Sequence, residues 1–245
     1  MTTVDIAIPV HNEERALARS IAVLRRFLAE CLTQEWGIII VDNGSTDGTL
    51  AVAKALSREY PEVTHIHLDL KGRGRALRRA WLQSGADIVS YMDVDLSTDL
   101  AAFPRLIQAI EEGYDLAIGS RLLPGSRVQR SIKRETLSRL YNLLIRATFF
   151  TRFHDAQCGF KAVRRRAAQE LVPLIKDQGW FFDSELLILA DKTGYRIGEV
   201  PVAWQEDADS RVNIRRTVMD DILGLVRMRL RSYAPHRSHV RSREG

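Results

Sequence analysis

The chain has 245 residues, of which 45% are hydrophobic and 27% charged, with a net charge of +5. A chain of this length buries roughly 70–75% of its unfolded surface without help from a disulfide or a structural metal, and its composition excludes a disordered or fibrous polypeptide. The two cysteines, Cys31 and Cys158, form no CxxC pair, which argues against a disulfide framework or zinc-finger site and for a reducing compartment. Residues 1–120 carry a balance of −5 and residues 121–245 one of +10. A basic half suits an anionic partner, whether nucleic acid, phospholipid or a phosphorylated substrate, or it is simply a solvated surface.

The first 120 residues alternate strand and helix signals. Short β-branched runs predict strands over 4–10 and 37–41. Between them, Leu17, Ile21, Leu24 and Leu28 recur at helical spacing within 14–32. Ser45 and Thr46 are expected to cap a second helix over 48–59. A strand over 63–68, a helix over 74–84, a strand over 87–92, a helix over 100–112 and a strand over 114–119 follow. Repeated β-α units predict an α/β fold with a mostly parallel central sheet and helices on both faces. Ligands bind such sheets at the carboxyl ends of strands. His11-Asn12-Glu13, Asp42-Asn43-Gly44-Ser45 and Asp93-Val94-Asp95 all fall there.

In the second half, 124–130 reads as a loop and 134–153 as a long helix mixing aromatic and aliphatic residues with arginines. A loop over 155–161 enters a strand. Helices over 164–175 and 183–193, a strand over 196–204 and an amphipathic basic helix over 217–231 complete the pattern. No repeat or low-complexity linker interrupts the chain. It reads as one domain over 1–231, with halves 1–120 and 121–231, and a basic, frayed tail over 232–245. No apolar run approaches the ~18–20 residues that cross a bilayer, and the N-terminus lacks the basic region of a signal peptide. A cytosolic or peripheral protein is expected.

Asp93-Val94-Asp95 ends an apolar strand, so both carboxylates can reach one cation; hard oxygens suit Mg²⁺ or Mn²⁺, and the alternative is a merely polar strand end. The segment 42–48 is not a calcium loop, because its sixth position is Asp47 rather than glycine and its twelfth is Ala53 rather than glutamate. Gly72-Arg73-Gly74 before a helix offers backbone N–H groups and a cation to a phosphate, but matches neither a dinucleotide fingerprint nor a Walker A loop.

Together these pieces are specific. The segments IPVHNEE (8–14), VDNGSTDGT (41–49), GRG (72–74), DVDLS (93–97), GSR (119–121), DAQCGFKAVRR (155–165), WFFDSELLILA (180–190) and EVPVAW (199–204) resemble family 2 glycosyltransferases of the GT-A fold. Within that family the chain is most similar to polyprenyl-phosphate sugar synthases, and its 155–161 and 181–187 segments look most like the dolichyl-phosphate β-glucosyltransferases. The likeness spans roughly 4–216. It departs from the usual pattern at His11, Asn43, Arg73 and Asp209-Ser210-Arg211.

The resemblance implies that Pro9, His11, Asn12, Glu13, Asp42 and Gly44 surround the nucleoside, with Arg73 on its phosphate or base side. It implies that Asp93 and Asp95 hold the sugar and a divalent metal. Arg121, Arg134, Ser138 and Arg211 would hold the acceptor phosphate, arginine being suited to multi-point phosphate recognition; for each arginine the alternative is a surface cation. Asp183 and Glu185 read either as charges at a helix N-terminus or as contacts to acceptor or sugar, and Asp155 and Gln157 divide the same way. Cys158 reads as a small buried residue.

The implied activity is inverting transfer of glucose from UDP-glucose to polyprenyl phosphate by a peripheral enzyme at the inner face of the membrane, docked directly through 134–153 and 217–231 or through an integral membrane partner. The same reaction with GDP-mannose is the nearest alternative. A nucleic-acid-binding protein is the alternative from another class, but no RRM, KH or helix-turn-helix signature is present, and nucleic acid is not an expected partner. A catalytically dead sugar-binding homologue is disfavoured by the intact Asp93/Asp95 pair.

Overall fold

The computed structural model describes residues 2–206 and 214–231. Its central sheet has seven strands in the order β3-β2-β1-β4-β7-β5-β8. These are β1 (Thr3–Val10), β2 (Glu35–Asn43), β3 (Val63–Leu68), β4 (Ile88–Met92), β5 (Leu116–Ser120), β7 (Phe160–Arg164) and β8 (Ile197–Pro201). All neighbours are parallel except β7, which runs antiparallel to both β4 and β5. A second, two-stranded parallel sheet joins β6 (Arg127–Gln129) to β9 (Ala203–Gln205).

The strands read as continuous apolar runs because both faces of the sheet are covered. Successive side chains of β1 alternate, with Ile6 and Ile8 entering one core and Ala7 the other. The first core is closed by α1 (Glu14–Cys31), α2 (Thr49–Glu59) and α4 (Phe103–Glu111). Leu17, Ile21, Leu24 and Leu28 of α1 are buried at the predicted spacing. In α4, Phe103, Leu106, Ile107 and Ile110 are buried, each worth about 1.5–3 kcal/mol, so truncating Ile107 to alanine costs about 2–5 kcal/mol. The second core is closed by α3 (Arg73–Gln83), α5 (Ile132–Phe149), α6 (Arg165–Leu171), α7 (Phe182–Thr193) and α8 (Ile214–Arg229). Helix α7 stops at Gly194, whose φ of 90° supplies the left-handed cap.

Four local expectations change. The 124–130 loop contains β6, and the predicted 196–204 strand breaks at Val202, after which β9 leaves the main sheet to pair with β6. Three-residue strands carry too little periodicity to be read from sequence. Ser45 and Thr46 do not cap α2; Ser45 Oγ accepts Asn12 N–H at 2.9 Å and Thr46 N–H donates to Asn12 Oδ1 at 2.8 Å, so both brace the neighbouring loop. Helix α5 ends at Phe149 rather than 153, because Phe150 turns left-handed at φ 52°. The tail over 232–245 lies outside the described residues.

From β1 the chain builds outward through β2 to β3, then returns to place β4 on the other side of β1. The carboxyl ends of β1 and β4 therefore flank a topological switch point, where a crevice opens.

Candidate active site

A cleft of ≈ 2430 Å³ occupies that crevice. This is larger than a pocket for one small ligand and can hold two substrates side by side.

One wall comes from the loops after β1 and β2. Pro9, His11, Asn12 and Glu13 line the cleft. Asn12 is left-handed at φ 58°, and its two bonds to Ser45 and Thr46 hold that conformation. Glu13 N–H donates to Thr49 Oγ1 at 2.8 Å, and His11 Nδ1 lies 3.0 Å from the Asn43 carbonyl. Asp42 is fully buried behind this wall, 2.7 Å from His67 Nδ1, and does not line the cleft. Gly44 sits behind it too, at φ +67° and against the backbone of residues 69–71. Sequence reasoning gave Asn43 no role, yet its Oδ1 accepts Gly72 N–H at 2.8 Å and ties the β2 end to the Gly72–Arg73 turn.

The cleft floor is a network of charges in which Lys161 and Asp183 are buried, Arg73 is largely buried and Asp93 is half-buried. Arg73 Nη1 lies 2.8 Å from Asp93 Oδ1, and its guanidinium sits 5.1 Å from the Tyr91 ring and 4.8 Å from the Trp180 ring. The backbone carbonyls of Gln178 and Gly179 accept from Arg75 and Gly74 N–H, so the 178–180 loop clamps the start of α3. Asp183 binds Lys161 Nζ at 2.9 Å, accepts the Tyr91 hydroxyl and lies 3.7 Å from Arg73 Nε. Burial raises the Asp93 carboxyl above its usual range, with Arg73 opposing it. Burial would lower the Arg73 guanidinium, but Asp93, Tyr91 and Asp183 together outweigh it and the cation is held more firmly than usual. Gly159 lies against this pair, where any Cβ would collide with Asp93.

Asp95 follows on a turn in which Leu96 N–H donates to the Asp93 carbonyl and Ser97 N–H to Asp95 Oδ1 at 2.9 Å. Leu96 is left-handed at φ 51°, an unusual conformation for leucine. Asp93 and Asp95 both line the cleft. Among the described residues no group of three or more His, Cys, Asp or Glu gathers as a metal cage. Two carboxylates without a cage are what Mg²⁺ or Mn²⁺ uses when substrate phosphates and waters complete its shell.

Arg121 lines the same cleft and begins a cationic wall. Arg121 grips Asp155 through two bonds, Nε to Oδ2 at 2.7 Å and Nη2 to Oδ1 at 2.9 Å. Burial would raise the Asp155 carboxyl, but Arg121 outweighs it and holds it at about 2. The Trp204 ring lies 5.6 Å from the Arg121 guanidinium and 6.0 Å from that of Arg130, a cation that sequence reasoning had not singled out. Arg134 pairs with Glu206, which lines the cleft, while Arg134 itself stands behind it. Ser138 is buried on α5, and its hydroxyl meets no partner among the described residues. Arg211 lies outside the described residues.

Asp183 and Glu185 are neither simple dipole charges nor open contacts. Both are buried hubs, and Glu185 accepts Lys176 and Asp177 N–H and pairs with Arg227 at 2.6 Å. Cys158 is buried as expected, with its thiol pushed up to about 12 by burial.

The family model "Glycosyl transferase family 2" matches residues 5–172, and the chain belongs to that family. It is similar to "Glycosyltransferase AglD" of Haloferax volcanii, 35% identical over 233 residues, covering 94% of this chain but 37% of that protein. It is 29% identical over 227 residues to the dolichyl-phosphate beta-glucosyltransferase of Saccharomyces cerevisiae, covering 84% of this chain and 68% of that one. It is 31% identical over 208 residues to the polyprenol monophosphomannose synthase of Mycolicibacterium smegmatis, covering 82% and 77%. Among solved structures it resembles glucosyl-3-phosphoglycerate synthase from Mycobacterium tuberculosis in complex with Mn²⁺, UDP-glucose and phosphoglyceric acid, with a TM-score of 0.68, 20% identity and coverage of 93% and 79%. The expected GT-A architecture is borne out.

Proposed function

We propose that this family 2 glycosyltransferase moves glucose from UDP-glucose to polyprenyl phosphate at a membrane surface, with inversion at the sugar. One juxtaposition carries the proposal: Asp93, Asp95 and Arg121 line one cleft large enough for two substrates. The donor nucleoside belongs on the wall of Pro9, His11, Asn12 and Glu13, with Asp42 and Gly44 shaping that wall from behind. Arg73 and Asp93 meet the diphosphate and sugar. Arg121 faces the acceptor phosphate, with Arg134 and Ser138 beside the acceptor's approach; Arg211 completes this set in the proposal.

Asp93 and Asp95 would hold a Mg²⁺ or Mn²⁺ ion, hard oxygens being the ligands such an ion takes. When bound, such an ion offsets the charge left on the departing nucleoside diphosphate. The acceptor is already an anion at neutral pH. Its phosphate oxygen forms the new bond to C1 as the bond from C1 to the diphosphate oxygen breaks, and the electron pair leaves with the diphosphate. No proton needs to be removed. Asp155, held at about 2 by Arg121, is correspondingly too weak a base for such work, and its task is to aim Arg121.

The acceptor's tail lives in lipid, and no helix among the described residues is long and apolar enough to cross a membrane. Helices α5 and α8 support docking at the surface instead. Leu140 and Leu143 on the first, with Phe150 just after it, and Met219 on the second, with Leu230 just after it, are exposed, Phe150 at 81% and Leu230 at 84%. Arg146, Arg152 and Arg229 are exposed beside them, and such helices lie in the interface with cations toward anionic lipid. Phe149 and Leu225, by contrast, belong to the core.

A donor panel with a short polyprenyl phosphate, with and without EDTA, tests the proposal. UDP-glucose is expected to be the best donor, with all transfer lost in EDTA. The 31% identity to a mannose synthase keeps GDP-mannose as the second reading; tighter binding of GDP than of UDP would favour it.

A further inference from the structure

Gln157 lines the cleft, and its orientation is fixed from behind. Its backbone N–H donates to Asp155 Oδ1 at 3.2 Å, so it rides on the carboxylate that grips Arg121. Two residues on, Gly159 abuts Asp93 and Arg73. Gln157 therefore lies between the donor carboxylate and the cationic acceptor wall, where the transferred sugar must pass. Its side-chain Nε2 donates to Asp221 Oδ2 at 2.9 Å. Asp221 belongs to α8, is 3% exposed and does not line the cleft. Ionised, as it is at pH 8, the Asp221 carboxylate can only accept, so it fixes the amide with nitrogen inward and oxygen toward the cleft. Gln157 Oε1 takes no hydrogen bond from any described residue and is not buried.

This presents one bare acceptor to the cleft, and the substrates differ in what they can offer it. The diphosphate and the acceptor phosphate are acceptors themselves and would repel a carbonyl oxygen. The nucleoside has donors, but it belongs at the far wall with His11 and Asn12. Only the sugar brings hydroxyl donors to this place. Resting on the donor reading above, we propose that Gln157 Oε1 accepts a hydrogen bond from one hydroxyl of the transferred sugar, with Asp221 as its positioning residue, and that this pair sets part of the enzyme's sugar preference.

The test pairs enzyme variants with donors lacking single hydroxyls. Wild type, Gln157→Leu and Asp221→Asn are assayed at pH 8 with UDP-glucose and with its 2-, 3-, 4- and 6-deoxy analogues, and UDP binding is measured by calorimetry. Wild type should lose about tenfold in kcat/KM with one of the four analogues, the worth of one neutral hydrogen bond. Gln157→Leu should lose about tenfold with UDP-glucose and be indifferent to removal of that same hydroxyl, with its affinity for UDP within twofold of wild type. Asp221→Asn can turn its own amide either way, so it should lose about half of that discrimination on a logarithmic scale. Wild type that binds UDP and transfers glucose, with no deoxy donor coupled to Gln157 beyond twofold, overturns the assignment alone. A Gln157→Leu loss shared equally by UDP overturns it too, by making the residue structural. Wild type that binds neither UDP nor UDP-glucose overturns the donor reading and this assignment together.

Discussion

Replacing Gly159 by alanine isolates the geometry of the Asp93–Arg73 pair. The new Cβ would stand 2.6 Å from Arg73 Nη2 and 2.9 Å from Asp93 Cγ, and nearer still to Asp93 Oδ2. Ordinary contacts begin at 3.4 Å, so the carboxylate and guanidinium must shift by up to about 1 Å. The stability cost is small, because both groups are side-chain ends beside an open cleft and Gly159 has no left-handed φ that alanine would resist. The catalytic cost is large, because a misplacement of about 1 Å at reacting groups costs on the order of 10²-fold. We expect Gly159→Ala to melt within a few degrees of wild type while kcat for sugar transfer falls about 100-fold. Thermal unfolding and steady-state transfer at saturating donor measure the two. A variant with wild-type kcat would show that the position of Asp93 does not matter, and the proposed role of that carboxylate would fall with it.

Asp95→Asn should cut turnover by orders of magnitude with an unchanged melting point, because the group stands on an exposed turn, and EDTA should abolish wild-type transfer until Mg²⁺ or Mn²⁺ is restored; full activity in EDTA refutes this. Arg134→Ala should raise KM for polyprenyl phosphate about 10–150-fold, equivalent to roughly 1.5–3 kcal/mol, and leave KM for the nucleotide sugar nearly unchanged; equal losses would reduce Arg134 to the partner of Glu206. Wild type should sediment with anionic liposomes at low salt and release at high salt, and Leu143→Ser/Phe150→Ser should stay in the supernatant; failure of wild type to sediment at low salt rejects direct docking. Asp221 is pushed up to about 7 by burial and by Asp177 and Asp220, with Asp183 adding to it, while Gln157 opposes; Tyr141 also feels its charge. A carboxyl raised on folding binds its proton more tightly in the native state, so ionising it costs stability as pH rises from about 4 to about 7. Asp221→Asn should gain on wild type by about 1.4 kcal/mol per pH unit across that window in urea unfolding, and a flat difference rejects the shift.

What was legible in the sequence was local. The four leucine and isoleucine positions of α1, the apolar runs of β1 and β4 and the polar clusters at their ends each announce themselves within a dozen residues, and the sheet placed them as expected. What was not legible depends on partners far along the chain. Lys161 in β7 looks like any lysine entering a strand, yet it is fully buried because Asp183 stands 22 residues later to neutralise it. The acids at the start of α7 look like charges at a helix dipole until α8 supplies Arg227 to Glu185. Strands β6 and β9 pair across about 75 residues of chain, and β9 also bridges to Thr98. Neighbours Phe149 and Phe150 part ways, one in the core and one exposed, because the chain turns left-handed between helix and loop.

The same dependence revises the meaning of the basic second half. Several of its cations do not wait on the surface for an anion; Arg121, Lys161 and Arg227 are each met by a buried carboxylate. For Arg121 this pairing does not exhaust the group. Asp155 engages Nε and Nη2, and a guanidinium has five N–H donors in a rigid fork, so the donors on Nη1 remain while the fork can no longer swing. Pairing thus converts a flexible surface charge into an aimed one. In the role proposed for it, Arg121 would offer an acceptor phosphate a donor already oriented, with its net charge partly compensated by Asp155. Such a site selects an anion by direction more than by bulk attraction, and a charge count along the chain carries no direction.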